Sequence, residues 1–333
     1  MKKIPTLLAS LLLAIGLAST YSAASAEQNK PIHFAALTWE SGALTTEILR
    51  RIVEQGYGYP TDTLPGSTVS LEVALARNDL QVIAEEWAGR SPAWVNAEKA
   101  GEVFALGDTV KNAEEGWWVP AYVVKGDKAP APDLRSVEDL KRYASVFKDP
   151  EEPAKGRFLN SPSGWTSEIV NSQKLKAYGL EGLYNNFRTG SGAALDAEVD
   201  SAIRRKKPVL FYYWSPTALI GRYDLVRLQE PPYDAAAWAT LTDAKNPDPK
   251  GSQSLPAKLS IGVSKAFRDH YPELVAVFEK VDLPIDRLNK ALAEMNEKRQ
   301  PPADAAKAFL RANPDVWKAW LPADAAVKVE ASL

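Results

Sequence analysis

Three tryptophans of this 333-residue sequence each follow a short apolar run that is typical of a β-strand. They are Trp39, Trp87 and Trp214. In open α/β sheets, ligands bind in the crevice outside the carboxyl ends of the strands. We therefore expect these three indole rings to meet in a ligand-binding cleft.

A fourth tryptophan, Trp165, stands where a helix is predicted to begin, within the segment Ser-Pro-Ser-Gly-Trp-Thr-Ser-Glu. The first backbone N–H groups of a helix have no partner inside it, and they lie at the positive end of its dipole. The sequence therefore predicts a site for a carboxylate beside the indole of Trp165.

These two features suit a quaternary ammonium ligand. Such a cation has no N–H to donate, so a protein holds it against the negative faces of aromatic rings. Each face contributes about 0.5–2 kcal/mol, so three or four rings are needed for useful affinity. An aromatic box beside a helix N-terminus fits a zwitterion, with the ammonium in the box and the carboxylate at the helix.

The remaining pattern is that of an α/β protein, in which short apolar runs alternate with amphipathic segments. One predicted helix extends from Ser41 to about Gln55 and ends at Gly56. Isolated tryptophans elsewhere, Trp94, Trp238, Trp317 and Trp320, are predicted to be packing residues of the core.

Composition changes twice along the chain, at 125–132 and at 229–251, where Lys, Gly and Pro interrupt the pattern. We expect residues 27–124 and 229–333 to form lobe I and residues 125–228 to form lobe II. Two lobes that are joined by two hinge crossings can close on a ligand in the cleft between them.

The sequence resembles the substrate-binding proteins of glycine betaine, proline betaine and choline ABC transporters over nearly the whole chain after residue 26. The resemblance implies a periplasmic binding protein of type II fold that is not an enzyme and is a monomer. Such a protein delivers its solute to a membrane permease with its ATPase. The resemblance rests on five segments in order: Glu86-Trp87, Gly116–Tyr122, Gly164-Trp165, Gly190–Ala194 and Tyr212–Pro216.

The resemblance also implies the site residues. Three of them, Trp87, Trp165 and Trp214, correspond to the family's box around the methylated ammonium. The ligand carboxylate is bound in that family by backbone N–H groups that correspond to Thr166 and Ser167. The aromatic positions that some members use correspond to Trp39 and Trp117.

Charged residues near the box depart from the family pattern. Where one betaine-binding pattern has a carboxylate-binding His, this sequence has Ser91, and the adjacent Arg90 is a candidate substitute. We expect glycine betaine as the ligand. Because Glu40, Glu85 and Glu86 lie near the predicted box, a receptor of the same fold that prefers choline or carnitine is the alternative. Because neighbouring side chains of a strand alternate, we expect at most one of Glu85 and Glu86 to face the cleft.

Composition argues against several other classes. A formal net charge of −2 gives no basic surface for nucleic acid. There is no cysteine, and His33 and His270 are the two histidines, so we expect no enzyme, no metal and no cofactor. The alternative is a secreted carbohydrate-active enzyme with a Trp-lined cleft, in which Glu40 and Glu86 would be the catalytic carboxylates.

The N-terminus has the three parts of a secretory signal peptide. Lys2 and Lys3 precede an apolar run, which is followed by small residues that end at Ala26. We expect cleavage after Ala26, a periplasmic location and a monomeric mature protein.

Overall fold

The structure, a computed structural model, describes residues 30–333. The predicted signal peptide, residues 1–26, lies outside this range. The described chain forms ten strands in two five-stranded sheets. In chain order these are β1 (Ile32–Ala36), β2 (Thr61–Pro65), β3 (Val82–Trp87), β4 (Val103–Val110), β5 (Glu114–Pro120), β6 (Gly156–Asn160), β7 (Tyr184–Arg188), β8 (Leu210–Ser215), β9 (Leu225–Arg227) and β10 (Leu259–Ser264).

The two sheets have the same topology. The first has the order β2-β1-β3-β10-β4, and the second has the order β7-β6-β8-β5-β9. In each sheet the second strand is parallel to both neighbours, whereas β10 and β5 are antiparallel to theirs. Each antiparallel strand enters its sheet directly from the other lobe. The predicted two-lobed α/β architecture is confirmed.

Helices cover both sheets within the described range. No helix there is long and apolar enough to cross a membrane. The α-helices are α1 (Glu40–Ile52), α2 (Thr68–Ala76), α3 (Pro92–Ala100), α4 (Ala121–Val124), α5 (Thr166–Ala177), α6 (Gly192–Arg204), α7 (Ala218–Arg222), α8 (Ala235–Leu241), α9 (Lys265–His270), α10 (Pro272–Phe278), α11 (Ile285–Glu297), α12 (Pro302–Ala312), α13 (Pro314–Trp317) and α14 (Ala323–Ala331).

The helix α1 shows how the apolar pattern sets the core. Its buried face carries Leu44, Ile48 and Leu49, which recur at helical spacing and pack in the core of the first lobe. The helix continues as a π-helical turn and ends at Gly58, whose φ of 78° suits glycine, rather than at Gly56. A Cβ at Gly56 would lie 3.3 Å from a methyl carbon of Val329, so that glycine permits close packing.

Both crossings between the lobes differ from those predicted by composition. Strand β5 pairs with β8 and β9, so the chain enters lobe II at residues 111–113 and not after residue 124. The segment after β9 also stays with lobe II, because Trp238 and Leu241 of α8 pack against Val170 of α5. Sheet pairing and helix packing therefore set the boundaries, and the Pro-rich segment 229–251 lies inside lobe II, where it contains the short helix α8.

Candidate ligand-binding site

A cavity of about 590 Å³, including its open mouth, lies between the lobes at the carboxyl ends of β1, β3 and β8. Tryptophan and glutamate dominate its wall. Lobe I contributes Leu37, Trp39, Thr68, Leu71, Glu72, Ile83, Glu85, Glu86, Trp87 and Arg90, and lobe II contributes Glu115, Trp165, Thr166, Ser167, Tyr212 and Trp214.

The aromatic rings contact one another across the cleft. The ring centroids of Trp39 and Trp165 lie 5.4 Å apart, and those of Trp165 and Trp214 lie 5.3 Å apart, both edge to face. Tyr212 stacks on Trp214 at 6.0 Å. The indole Nε1 of Trp165 also donates to Thr38 Oγ1 in the opposite lobe at 3.2 Å. The lobes are therefore in direct contact through the predicted box.

Two glycines allow these tryptophans to sit where they do. A Cβ at Gly42 would lie 2.7 Å from the indole of Trp39, which folds back over the first turn of α1. Gly164 has a φ of +91°, and a Cβ there would lie 2.8 Å from Cβ of Ser67 in the opposite lobe. A side chain at Gly164 would therefore strain the backbone and push the lobes apart.

Glu85 is a buried carboxyl inside the ring cluster. Its Oε1 accepts hydrogen bonds from Trp39 Nε1 at 2.6 Å, Ser41 Oγ at 3.0 Å and Trp87 Nε1 at 3.2 Å. Its Oε2 is buried and has no partner among the described residues. Burial raises the pKa of Glu85 to about 7, although the three hydrogen bonds oppose the shift. Near neutral pH this carboxyl can therefore present either a proton or a charge to the cavity.

A second pair of buried acids, Glu72 and Glu86, stands beside it. Burial raises the pKa of Glu72 to about 7. Burial also raises the pKa of Glu86 well above its ordinary value, and the charge of Glu72 adds to that shift. Ser91 donates to Glu72 Oε2 and caps α3 by accepting from Trp94 N at 2.9 Å. The expectation that at most one of Glu85 and Glu86 faces the cleft is not met, because both line the cavity.

Arg90 lines the cavity but is already paired. Its Nη1 lies 2.5 Å from Glu115 Oε1, its Nη2 donates to Leu255 O at 2.9 Å, and its guanidinium lies 4.8 Å from the ring centroid of Trp87. Burial alone would raise the pKa of Glu115, but the Arg90 charge and the hydrogen bond from Tyr212 hold it below its ordinary value. Arg90 therefore connects lobe I to Glu115 and Leu255, which lie next to the two crossings between the lobes.

The helix N-terminus predicted from the sequence also faces the cavity. Trp165 is the N-cap of α5, with a φ of −84° and a ψ of 145°, so Thr166 and Ser167 are its first two residues. Their backbone N–H groups precede the first intrahelical hydrogen bonds. The Thr166 hydroxyl is buried without a partner among the described residues, while Ser167 Oγ bonds Ser161 Oγ at 2.7 Å.

Two of the nine predicted site residues do not line the cavity. Trp117 is fully buried in lobe II, where its ring lies 4.3 Å from Phe158 and its Nε1 donates to Asn171 at 2.8 Å. It stands two residues beyond Glu115 along β5, which moves it roughly 6–7 Å from the cleft. Glu40 begins α1 and points to Asn296, which donates to it at 2.9 Å.

Seven residues of the wall were not predicted from the sequence, and three of them, Glu72, Glu115 and Tyr212, are charged or aromatic. Tyr212 lies two residues before Trp214 on the same strand face, which is a signal that strand periodicity offers. Glu115 and Glu72 carry no such signal, because the pairing of distant elements brings them to the cavity. Among the described residues, no group of three His, Asp or Glu side chains could hold a metal ion.

Two α/β lobes that enclose an aromatic pocket define a solute-binding protein. The model of the family described as the substrate binding domain of an ABC-type glycine betaine transport system matches residues 30–312. The chain belongs to this family, and it is therefore the substrate-binding component of an ABC transport system.

Relatives and solved structures agree with this assignment. The chain is 25% identical over 321 residues to the trimethylamine N-oxide-binding protein of Pelagibacter ubique, covering 95% of this chain and 98% of that one. It is also 25% identical over 241 residues to the glycine betaine/proline betaine-binding periplasmic protein of Escherichia coli, covering 69% and 70%. The fold is similar to that of an ABC-transporter choline-binding protein in complex with choline, with a TM-score of 0.72, 16% identity and coverage of 91% and 97%.

Proposed function

We propose that this protein is an exported receptor that encloses one trimethylammonium solute and delivers it to a membrane permease with its ATPase. The observation that carries the proposal is that Trp39, Trp87, Trp165 and Trp214 line one cavity from both lobes. At about 0.5–2 kcal/mol for each ring that contacts the cation, three or four indoles are sufficient for useful affinity. The signal-peptide pattern that ends at Ala26 and the periplasmic location in the name of the Escherichia coli relative support export to the periplasm, and we propose a monomer.

We propose trimethylamine N-oxide as the preferred ligand. Its oxygen is bonded directly to the nitrogen, so the group that binds this oxygen must lie at the level of the box. Glu85 meets this requirement, because its Oε1 accepts from the indoles of Trp39 and Trp87 and its Oε2 has no partner in the described part of the chain. A protonated Glu85 would donate to the N-oxide. The full-length similarity to a trimethylamine N-oxide-binding protein supports this choice.

When they are ionised, the acids of the wall repel a ligand that carries a separate carboxylate. Glu72, Glu85 and Glu86 line the cavity, and the one cation there, Arg90, is paired with Glu115 among the described residues. Ser91 bonds Glu72 instead of providing the carboxylate-binding group of the betaine pattern. Glycine betaine, which the sequence analysis favoured, is the second candidate, because the N–H groups of Thr166 and Ser167 suit its carboxylate.

Calorimetric titration of trimethylamine N-oxide at pH 6.5 and pH 8.5 tests this ligand assignment. If protonated Glu85 is the donor, affinity falls with rising pH, by at most tenfold per pH unit. Glu85→Gln keeps an N–H donor and removes the titration, so it should bind with a flatter pH profile. The exposed Glu181→Gln is the matched control. An unchanged pH profile in Glu85→Gln would reject Glu85 as the donor, and an affinity that rises with pH would favour choline and an ionised Glu85.

A further inference from the structure

Two carboxyl groups from opposite lobes meet at one amide outside the ligand cavity. Asn296 Nδ2 donates to Glu40 Oε1 at 2.9 Å and to Asp196 Oδ2 at 3.2 Å. Glu40 begins α1 and Asn296 lies in α11, both in lobe I, whereas Asp196 lies in α6 of lobe II. A side-chain amide has two N–H donors, and here each lobe's acid takes one of them.

This group is connected to the box in both lobes. Glu40 directly follows Trp39, which is the N-cap of α1. Asp196 Oδ1 accepts a hydrogen bond from Tyr213 OH at 2.7 Å, and the Tyr213 ring lies 4.8 Å from that of Trp214. Helix α7 of lobe II packs against α11 beside the group. Any opening of the lobes would therefore separate Asp196 from Asn296 while the box opens.

The charges around Glu40 make the contact sensitive to protons. Burial and, to a smaller extent, the charge of Asp196 raise the pKa of Glu40 to about 7, and the charge of Arg222 opposes them. Arg222 is itself shared with Asp200, at 3.4 Å. Tyr213 also faces the pair, and burial and the charge of Asp196 keep its pKa well above the ordinary value. When Glu40 and Asp196 are both ionised, they repel each other across the lobe boundary.

We propose that Asn296 clasps Glu40 and Asp196 together and thereby holds the lobes closed, most firmly when one of the two carboxyl groups is protonated. Closure would then take up a proton, and the closed form would open more readily as pH rises through about 7. These three residues are positioning residues, since none of them lines the cavity. The inference rests on the proposed function in one respect, which is that the ligand is held by closure of the lobes.

The rate of ligand release, followed by tryptophan fluorescence in a stopped-flow instrument, tests the clasp with trimethylamine N-oxide. We expect the release rate of the wild type to rise roughly threefold to tenfold between pH 6 and pH 8. Asp196→Asn and Glu40→Gln should each reduce this pH dependence, and Asn296→Ala should accelerate release at both pH values. Glu198→Gln, an exposed charge removal on the same helix as Asp196, is the control. Wild-type pH dependence in both Asp196→Asn and Glu40→Gln would overturn the proposal.

A distance measurement separates failure of the clasp from failure of the ligand assignment. Because the chain has no cysteine, Val95→Cys in lobe I and Leu183→Cys in lobe II give two unique, exposed labelling sites. Without any ligand, the closed fraction measured by spin-label distances should be larger at pH 6 than at pH 8, and Asp196→Asn should remove the difference. An unliganded closed fraction that is independent of pH in the wild type would contradict the clasp, whatever ligand the cavity binds.

Discussion

Trp39 and Trp165 meet edge to face across the cleft, with ring centroids 5.4 Å apart and an interplanar angle of 73°. One indole belongs to each lobe, so closing the lobes and completing the aromatic box are the same event. The contact also explains why Thr38 bonds Trp165 at this point. Ligand affinity and lobe closure should therefore change together in variants of the box.

Loss of a box ring should weaken binding without unfolding the protein. We expect Trp87→Ala, Trp165→Ala and Trp214→Ala each to cost roughly 1–3 kcal/mol of binding free energy, which calorimetry measures. Trp238→Ala is the matched control, because this buried indole packs with Val170 in a separate cluster of lobe II. It should lower stability and leave affinity unchanged. Full affinity in all three box variants would show that these rings do not bind the ligand.

Removing one backbone donor should distinguish ligands with and without a carboxylate. Thr166 is the first residue of α5, where proline is tolerated, and Trp165 before it has the extended backbone that proline requires. Thr166→Pro should therefore weaken glycine betaine binding by about 1.5–3 kcal/mol. It should change trimethylamine N-oxide binding little, and Thr166→Val controls for the side chain. Equal losses for both ligands, measured by calorimetry, would mean that they share the helix N-terminus.

The unliganded protein should lose stability as pH rises from about 5 to about 7.5. Glu40, Glu72 and Glu85 ionise near pH 4.5 when unfolded and near pH 7 when folded, so the folded state binds more protons in this interval. At lower pH the dependence reverses, and stability should fall as the pH falls. The reason is that Arg157 holds the pKa of Asp149 well below its usual range, so protonation of Asp149 favours the unfolded state.

Thermal unfolding across this pH range measures the effect. Glu85→Gln should flatten the decline and raise the Tm at pH 8, whereas the exposed Glu181→Gln should follow the wild type. A Tm that increases steadily from pH 5 to pH 8 would contradict the raised pKa values.

Removing one partner of the Arg90–Glu115 ion pair should destabilise the protein more than replacing both partners. Both side chains are about 93–94% buried, so removing one leaves the other charge unpaired. We expect Arg90→Met to cost about 3–5 kcal/mol of unfolding free energy, measured in urea, and the double variant with Glu115→Gln to recover most of it. A double variant as unstable as Arg90→Met would show that Arg90 acts through its contacts with Trp87 and Leu255 instead.

Strand-end positions allowed much of the site to be predicted from the sequence. Trp39, Trp87 and Trp214 follow apolar runs, and the carboxyl ends of strands meet at one edge, so their convergence needs no knowledge of tertiary contacts. Trp117 resembles them in composition, but it lies farther along β5 and beneath α5, which depends on pairing with a distant strand.

Charged residues and lobe boundaries were harder to predict. Glu40 is adjacent to Trp39, yet its position as the first residue of α1 directs it to Asn296, more than 250 residues away. The predicted lobe boundary at residue 124 is wrong for the same reason, because β5 joins its sheet by pairing with the distant strands β8 and β9. Contacts between residues so far apart leave no periodic signal in the sequence.

The most direct test of the central claim is a calorimetric comparison of trimethylamine N-oxide with tert-butanol. The two molecules have nearly the same shape, but tert-butanol lacks both the charged nitrogen and the N-oxide oxygen, so the comparison measures the attraction of the cation to the rings together with the hydrogen bond from Glu85. With four indoles lining the cavity, we predict one-to-one binding of the N-oxide that is at least about a hundredfold tighter than that of tert-butanol. Equal binding of the two, or no binding of the N-oxide, glycine betaine or choline, would contradict the account.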